Sequence, residues 1–230
     1  MEQTRVAVII VAGGSGTRMG GALPKQFAIV GSKPILVHTI NNFASALPSS
    51  EIIVVLPQSQ IDFWRDYSAR FKVAKHSVTA GGAERFDSVK RGIDAIKGDA
   101  DLIAVQDGVR PFASKNMILQ CVKCAAENGS AIPVISPVDS FREVTDSGSH
   151  IVNRDMLRII QTPQIFSSEL LKRAYNCSFD KSFTDDASVV EKMTEHRVTL
   201  CDGERTNIKI TTPDDMVIAQ CLVESIKEDV

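Results

Sequence analysis

The sequence predicts an α/β protein in which a mostly parallel central sheet carries helices on both faces. Short apolar runs, among them residues 6–12, 51–56 and 102–106, alternate along the chain with segments of helical periodicity. Such alternation is typical of parallel strands joined by right-handed crossover helices. It breaks once, at residues 138–155, where a turn separates two candidate strands. We therefore expect a Rossmann-like fold from which one β-hairpin arm protrudes.

The predicted elements follow from the spacing of apolar residues between turn signals. Residues 6–12 form a run too short for a buried helix, so they are predicted as a central strand. Helical spacing behind Pro34 predicts the first helix at residues 34–43, since proline suits the first turn of a helix. The last predicted strand, residues 207–212, is expected to close the sheet. The other predicted strands are residues 51–56, 77–80, 102–106, 131–135 and 197–200, and the other helices are residues 60–71, 85–96, 114–128, 168–175, 187–194 and a C-terminal one from residue 213.

The hairpin at residues 138–155 has a signature of its own. Two short candidate strands, residues 141–145 and 150–153, flank a turn of aspartate, serine and glycine. Because a lone two-stranded hairpin is marginally stable in water, it is expected to pack on another surface, most naturally a second subunit. No repeat or linker divides the chain, so residues 1–230 are predicted to form one domain with a dimerisation hairpin.

Composition excludes several classes of function. The 26 basic and 28 acidic residues leave a formal net charge of -2, which gives no electrostatic case for binding nucleic acid or an anionic membrane surface. No stretch reaches the roughly 20 apolar residues of a membrane span. No cleavage-site pattern follows the first apolar run. A soluble, cytoplasmic protein is therefore expected.

The five cysteines are scattered along the chain, which favours reduced thiols over a disulfide framework. Cys121 and Cys124 have the spacing of a redox or zinc pair, yet they lie in a helical pattern without a second Cys or His pair nearby. We expect these two residues to serve in helix packing.

Functional chemistry concentrates after the first strand, in a glycine-rich segment that ends with the cations Arg18 and Lys25. Glycine lets backbone N–H groups turn toward an anion, and two cations favour several phosphates over one carboxylate. A dinucleotide fingerprint starting at Gly14 would need a glycine at position 19, where the chain has Met19. A P-loop needs lysine directly after its last glycine, but Ala22 occupies that place. The segment therefore predicts a polyphosphate site of another kind.

Further motifs follow this loop along nearly the whole chain. They are PKQ at residues 24–26, GGAERFDSV at 81–89, QDGVRP at 106–111, QTPQ at 161–164, TDDAS at 184–188 and NIKIT at 207–211. In this order they resemble the 2-C-methyl-D-erythritol 4-phosphate cytidylyltransferase family of the non-mevalonate isoprenoid pathway. The resemblance implies an enzyme that condenses CTP with the methylerythritol phosphate and releases pyrophosphate. It also implies Mg²⁺ or another divalent cation, and a homodimer with shared active sites.

The same resemblance implies roles for individual residues. Arg18, Lys25 and Lys209 would be the catalytic cations around the phosphates, and Asp107 would bind the metal. Asp185 is expected to cap the helix that follows it. The implied nucleotide contacts are Ala12, Gly13, Gly14, Ser15, Gly16, Gly82, Ser88 and Asp107. The implied contacts to the sugar-alcohol phosphate, partly supplied by the hairpin of the other subunit, are Arg110, Ser140, Arg154, Thr162 and Thr184.

Three positions depart from the pattern that the family usually shows. Gln106 stands in place of a histidine before Asp107, and Ala83 replaces a common acidic residue after the paired glycines. Ser140 replaces a threonine but keeps a hydroxyl group. These departures bear on the identity of the substrate more than on the type of reaction.

Three alternative functions stay open at the level of sequence. Ribitol-5-phosphate cytidylyltransferases share the glycine loop, the PKQ motif and the VRPF sequence at residues 109–112, whereas TDDASVVE at residues 184–191 favours the methylerythritol enzymes. A non-catalytic nucleotide-binding module would keep the loop but would have no need of the catalytic cations and the metal ligand. A NAD-dependent dehydrogenase is disfavoured by Met19.

Overall fold

The computed structural model describes residues 4–13 and 23–228. Within them, a central sheet of eight strands lies between two layers of helices. The strands of this sheet are β1 (Val6–Val11), β4 (Glu51–Leu56), β5 (Ser77–Ala80), β6 (Leu102–Asp107), β7 (Ser130–Ile135), β10 (Ile159–Ile160), β11 (Gln164–Ser167) and β12 (Leu200–Asp202), and two small pairs are β2 (Ile29–Val30) with β3 (Lys33–Pro34) and β8 (Phe141–Thr145) with β9 (Gly148–Val152). The helices are α1 (Ile35–Ala46), α2 (Ile61–Ser68), α3 (Arg85–Asp94), α4 (Lys115–Asn128), α5 (Ser168–Ala174), α6 (Asp186–Met193) and α7 (Pro213–Glu228).

Strand β1 occupies the middle of the sheet because its residues are apolar throughout. It pairs in parallel with β4 on one side and with β6 on the other, so that Ile9 lies opposite both Ile53 and Val105. Val8 and Ile10 pack into the core on one face and Ile9 into the core on the other, and all three are fully buried. A strand that is buried on both faces needs a continuous apolar run. The parallel arrangement predicted from the sequence is confirmed.

Helices cover both faces of the sheet, as predicted. On one face, α1, α2 and α4 contribute Phe43, Trp64 and Met117 to a shared core. On the other face, α3, α5 and α6 form a second core that includes Val89 and Leu171. None of the helices in the described part of the chain combines the length and the apolar character needed to cross a bilayer.

The sheet contains two strands that the sequence pattern does not predict, the two-residue β10 and the longer β11. Strand β11 lies between β6 and β7 and is antiparallel to both, with Ile165 opposite Ala104 and Ala131. With four residues directly before α5, it is too short to show a periodicity of its own. Because β11 runs against β6, it places residues 161–163 beside the carboxyl end of β6.

The strand predicted at residues 207–212 is wrong. The segment has no strand pairing; instead, Ile210 N–H donates a hydrogen bond of 3.0 Å to the carbonyl oxygen of Val109. The alternation of Ile208 and Ile210 with polar residues imitates a half-buried strand. These isoleucines pack in a small core with Val223 of α7, and not in either core of the sheet.

Other predicted elements occur with displaced ends. The strand predicted at residues 197–200 is β12, which pairs in parallel with β7 and places Cys201 opposite Pro133. The helix predicted at residues 34–43 continues to the end of α1, and the one predicted at residues 60–71 is shorter as α2. The predicted order of strands and helices up to residue 128 is otherwise confirmed.

The predicted hairpin is confirmed as β8 and β9. Phe141 lies opposite Val152 and Thr145 opposite Gly148, so the second strand starts two residues earlier than predicted. Apolar side chains of the hairpin are exposed, among them Val144 by 82% and Ile151 by 72%. Within the described part of this chain, the arm therefore leaves apolar surface uncovered.

Candidate active site

A cleft of about 350 Å³ opens beyond the carboxyl ends of β1 and β6. In open α/β sheets ligands bind at this edge, because the loops that leave the strands converge there. The walls come from the end of β1, the turn at Lys25–Phe27, the loop before α3, the end of β6 and the segment that follows residue 207. The lining residues are Val11, Ala12, Gly13, Lys25, Gln26, Gly82, Ala83, Glu84, Arg85, Ser88, Asp107, Val109, Lys209 and Thr211.

Asp107, the last residue of β6, is the centre of charge in this cleft. Lys209 Nζ lies 3.0 Å and Arg110 Nε 3.2 Å from its Oδ2, and Arg85 Nε lies 3.7 Å from its Oδ1. The backbone N–H of Asp107 donates a hydrogen bond of 3.0 Å to Thr162 Oγ1. The carboxylate is thus held by cations on both oxygens while the main chain behind it is held by a hydroxyl group.

Burial and charge act in opposite directions on the Asp107 carboxyl group. Burial raises its pKa, but the positive charges of Arg85, Lys209 and Arg110 outweigh that effect and bring the pKa down to about 2. The carboxylate is therefore ionised at neutral pH although Asp107 is only 7% exposed. Counting the Asp186 carboxylate that pairs with Arg85, these three cations exceed the two carboxylates by one positive charge, which suits a polyanionic ligand.

The loop before α3 lets a ligand come close to its backbone. Ser88 Oγ accepts a hydrogen bond of 3.2 Å from the Gly82 N–H and donates one of 3.1 Å to the Glu84 carbonyl oxygen. A Cβ added to Gly82 would stand 2.2 Å from Asp87 Cβ, so a side chain at this position would displace the loop. Backbone groups of the loop can consequently meet a ligand directly, which suits a flat ring such as a nucleobase.

Lys25 belongs to a short 3₁₀ turn, Lys25–Phe27, that is anchored beneath the cleft. Gln26 is buried, and its Nε2 donates a hydrogen bond of 2.9 Å to the carbonyl oxygen of Ala12 at the end of β1. Phe27 is fully buried and stacks on Trp64 with ring centroids 5.5 Å apart. These contacts fix the backbone of the turn and so hold Lys25 at the cleft wall.

Two charged residues to which the sequence analysis assigns no role belong to this site. Arg85 lines the cleft, and its Nη1 and Nη2 donate hydrogen bonds of 3.0 and 2.6 Å to the Asp186 carboxylate. Burial lowers the pKa of Arg85, but Asp186, together with Asp107 and Tyr175, outweighs that effect and raises the pKa, so the guanidinium stays charged. Both residues stand inside quoted motifs. Their pairing is invisible in the sequence because they are 101 positions apart.

The structure brings a large share of the predicted site residues to one cleft. They are Ala12, Gly13, Lys25, Gly82, Ser88, Asp107 and Lys209. The predicted site residues that lie outside the described part of the chain are Gly14, Ser15, Gly16 and Arg18.

The predicted contacts to the sugar-alcohol phosphate fall into two groups. Arg110 and Thr162 lie behind Asp107, where Arg110 Nη1 also donates a hydrogen bond of 2.9 Å to the Asn207 carbonyl oxygen. The remaining three residues are exposed, do not line the cleft of their own chain, and stay predictions. They are Ser140, Arg154 and Thr184.

Two local predictions are confirmed. Asp185 caps α6, since its Oδ1 accepts a hydrogen bond of 2.9 Å from the Ser188 N–H. Cys121 is buried in the core that α4 shares with α1, and Cys124 packs against the same core. Among the described residues, there is no group of three or more His, Cys, Asp or Glu side chains that could hold a metal ion by themselves.

The chain is similar to known proteins over almost its whole length. The model of the IspD family, 2-C-methyl-D-erythritol 4-phosphate cytidylyltransferase, matches residues 6–225. The protein of that name from Phocaeicola vulgatus is 48% identical over 217 residues, which are 94% of this chain and 98% of the relative. The one from Bacteroides thetaiotaomicron is 46% identical over 218 residues, or 94% and 99% of the two chains.

Solved structures agree with the sequence relatives. The 4-diphosphocytidyl-2C-methyl-D-erythritol synthase of Anaerococcus prevotii superposes with a TM-score of 0.81 at 28% identity and covers 96% of both chains. The 2-C-methyl-D-erythritol 4-phosphate cytidylyltransferase of Thermus thermophilus has a TM-score of 0.77 at 29% identity, covering 96% of this chain and 100% of its own. The resemblance inferred from the motifs is confirmed: this chain belongs to the 2-C-methyl-D-erythritol 4-phosphate cytidylyltransferase family.

Proposed function

We propose that this protein condenses CTP with 2-C-methyl-D-erythritol 4-phosphate to give the CDP-linked methylerythritol and pyrophosphate. The observation that carries the proposal is the group of three cations around the ionised Asp107, with Lys25 on the wall of the same cleft. Membership of the family and the names of the relatives point to the same activity.

This reaction requires no general base from the protein. The second pKa of a phosphate monoester is about 6, so the nucleophile is mostly a dianion at neutral pH. One of its oxygens attacks the α-phosphorus of CTP, the bond from that phosphorus to the bridging oxygen breaks, and pyrophosphate leaves. The obstacle is the repulsion between the dianion and the triphosphate.

Cations of the cleft are suited to offset this repulsion. One pair of unlike unit charges about 4 Å apart gains about 4 kcal/mol at an effective dielectric constant of about 20, before desolvation is counted. Several such contacts are therefore needed. Lys25 binds the triphosphate, and Lys209 meets the α-phosphate, where charge develops in the transition state.

Asp107 is the residue of this cleft that fits the divalent cation, Mg²⁺ or another. Mg²⁺ in phosphoryl-transfer sites is typically bound by one or two carboxylates, with substrate phosphates and water filling the other positions, so one ionised carboxylate suffices once CTP is present. A bound ion would neutralise charge on the phosphate oxygens. The chain itself keeps Asp107 ionised through its neighbouring cations and fixes its main chain through Thr162.

The hairpin supports a homodimer with shared sites. Val144 and Ile151 expose apolar surface that a second copy would cover. Ser140 and Arg154 flank the hairpin and lie outside the cleft of their own chain, so we assign them to the substrate site of the partner. The cysteines of the described chain are free thiols, which fits a reducing compartment, and we propose a cytoplasmic location.

Pyrophosphate release tests the proposal directly. The protein is incubated with CTP and Mg²⁺ and with either 2-C-methyl-D-erythritol 4-phosphate or ribitol 5-phosphate. We expect a higher kcat/KM with the methylerythritol phosphate. A higher value with ribitol phosphate would replace the substrate assignment, and release with neither would leave a non-catalytic nucleotide-binding module.

A further inference from the structure

Asp186, the second aspartate of the TDDAS motif, is a fully buried charge at the start of α6. Its carboxylate accepts hydrogen bonds from Arg85 Nη1 at 3.0 Å, from Arg85 Nη2 at 2.6 Å and from the Tyr175 hydroxyl at 2.6 Å. A buried carboxylate is tolerated only when its oxygens are paired in this way. Asp185, directly before it, is engaged as the helix cap, so the two aspartates have separate partners.

The position of Asp186 is fixed from several sides. The Ala187 N–H donates a hydrogen bond of 2.9 Å to Gln164 Oε1, and Gln164 Nε2 donates one of 2.8 Å to Asp185, which ties the start of α6 to β11. The ring of Tyr175 stacks on Phe86 with centroids 4.8 Å apart. Asp186 is therefore held in place as an acceptor. Its main chain is tied to β11, and its hydrogen-bond partner Tyr175 is packed against Phe86.

The geometry of Arg85 divides its guanidinium between two carboxylates. Both Nη atoms are turned to Asp186, which leaves Nε toward Asp107 Oδ1 at 3.7 Å. Arg110 and Lys209 contact the other oxygen, Oδ2. Among the described residues, Arg85 is therefore the cation that contacts Oδ1 of Asp107.

Charge alone does not explain this arrangement. The negative charge of Asp186 cancels the positive charge of Arg85, so the pair adds little net attraction for a polyanion. What the pair provides is a planar donor in one defined position, which arginine supplies through its rigid fork and lysine does not.

We propose that Asp186 and Tyr175 are positioning residues that lock Arg85 on the wall of the nucleotide cleft, where it orients Asp107. The inference rests on the proposed function, because it takes CTP as the ligand of the cleft. It goes beyond that function by assigning roles to three residues outside the reacting groups.

The proposal predicts the direction in which CTP affinity changes when Asp186 is substituted. Calorimetry in the presence of Mg²⁺ measures that change. Asp186→Asn removes a negative charge near a site for a polyanion, so electrostatics alone would strengthen CTP binding. If Asp186 is an anchor, binding weakens instead, by about ten-fold, as expected for the loss of one charge-assisted contact. Asp180→Asn is the matched control, because Asp180 pairs with Lys192 on the exposed surface of the same region.

A double-mutant cycle separates anchoring from general damage to the fold. Arg85→Gln should weaken CTP binding about as much as Asp186→Asn, and the double variant should be no weaker than Arg85→Gln alone. Tyr175→Phe, which removes one hydrogen bond and keeps the ring, should weaken binding by about two- to five-fold only while Arg85 is present. This milder variant keeps the proposal testable where Asp186→Asn does not fold.

Each other result has a distinct meaning. Unchanged or tighter CTP binding by a folded Asp186→Asn protein overturns the anchor, as do additive effects of Asp186→Asn or Tyr175→Phe with Arg85→Gln. Failure of the unmodified protein to bind CTP overturns the proposed function and the anchor with it. Normal binding by the unmodified protein and by Arg85→Gln overturns the anchor alone.

Discussion

The nucleotide cleft and the hairpin arm of this protein are built in contrasting ways. The cleft is lined by one chain, and several of its charged residues are paired with each other, as Asp107 is with Lys209 and Arg85. The hairpin has few partners in its own chain and exposes Val144 and Ile151. A charge that is buried on folding needs partners in the same chain. An apolar surface, by contrast, can stay exposed to solvent until a second chain covers it.

This contrast suggests a division of labour. The CTP half of the site is complete once one chain has folded, apart from what residues outside the described ranges contribute. In the proposed homodimer, the half that receives the sugar-alcohol phosphate would be completed when two chains meet. Four experiments probe the two regions, beginning with the one that has the largest expected effect.

Removal of the side chain of Lys25 should have the largest effect on the reaction rate. Lys25→Ala is expected to lower kcat by about 10³-fold, because one preorganised cation that stabilises transition-state charge is lost. Steady-state pyrophosphate release checks the rate, and circular dichroism checks the fold. Lys33→Ala, which changes a lysine of β3 outside the cleft, should leave kcat near normal. Near-normal turnover by Lys25→Ala would contradict the assignment of Lys25.

Mixed dimers test whether the active sites are shared. Lys25→Ala and Arg154→Ala chains, coexpressed with different tags, should regain about a quarter of the unmodified activity, because half of the dimers are mixed and each mixed dimer has one intact site. A mixture of Lys25→Ala and Lys209→Ala should regain none, since both residues belong to the same half of the site. Absence of recovery in the first mixture would show that Arg154 acts within its own chain.

The ion pairs of Asp107 should stabilise the fold in a pH-dependent way. Because its pKa is lowered from 3.8 to about 2, the contribution is present above pH 4 and is lost as the pH falls through about 2. The shift corresponds to about 2 kcal/mol of unfolding free energy. Urea denaturation of the unmodified protein and of Asp107→Asn at several pH values should show their difference shrinking by about that amount between pH 5 and pH 2. A constant difference would contradict the pairing.

The smallest effect is expected for Thr162, which lies behind Asp107. Thr162→Val removes the acceptor of the buried Asp107 N–H and should lower the free energy of unfolding by about 1 to 2 kcal/mol. Thr162→Ser keeps the hydroxyl group and should lose less. A larger loss for Thr162→Ser than for Thr162→Val in urea denaturation would mean that packing of the threonine methyl group, which valine keeps, stabilises this end of β6 more than the hydroxyl group does.

Much of the site could be predicted from the sequence because its parts are local. A continuous apolar run predicts a central strand wherever both faces of the sheet are covered, and β1 and β6 follow that rule. The carboxyl ends of parallel strands lie at one edge of the sheet. Recognising β1 and β6 as parallel strands is therefore enough to place Gly13 and Asp107 near each other. The close packing of Gly82 likewise depends on a neighbour in sequence, Asp87.

Tertiary structure decided the features that depend on distant partners. The segment at residues 207–212 has the alternation of a strand, but a small core with α7 takes its isoleucines, so Lys209 reaches Asp107 from an irregular segment. Arg85 and Asp186 are paired across 101 positions, and burial makes that pairing obligatory. Local patterns determine which elements form, whereas only the folded chain determines which charges must satisfy one another.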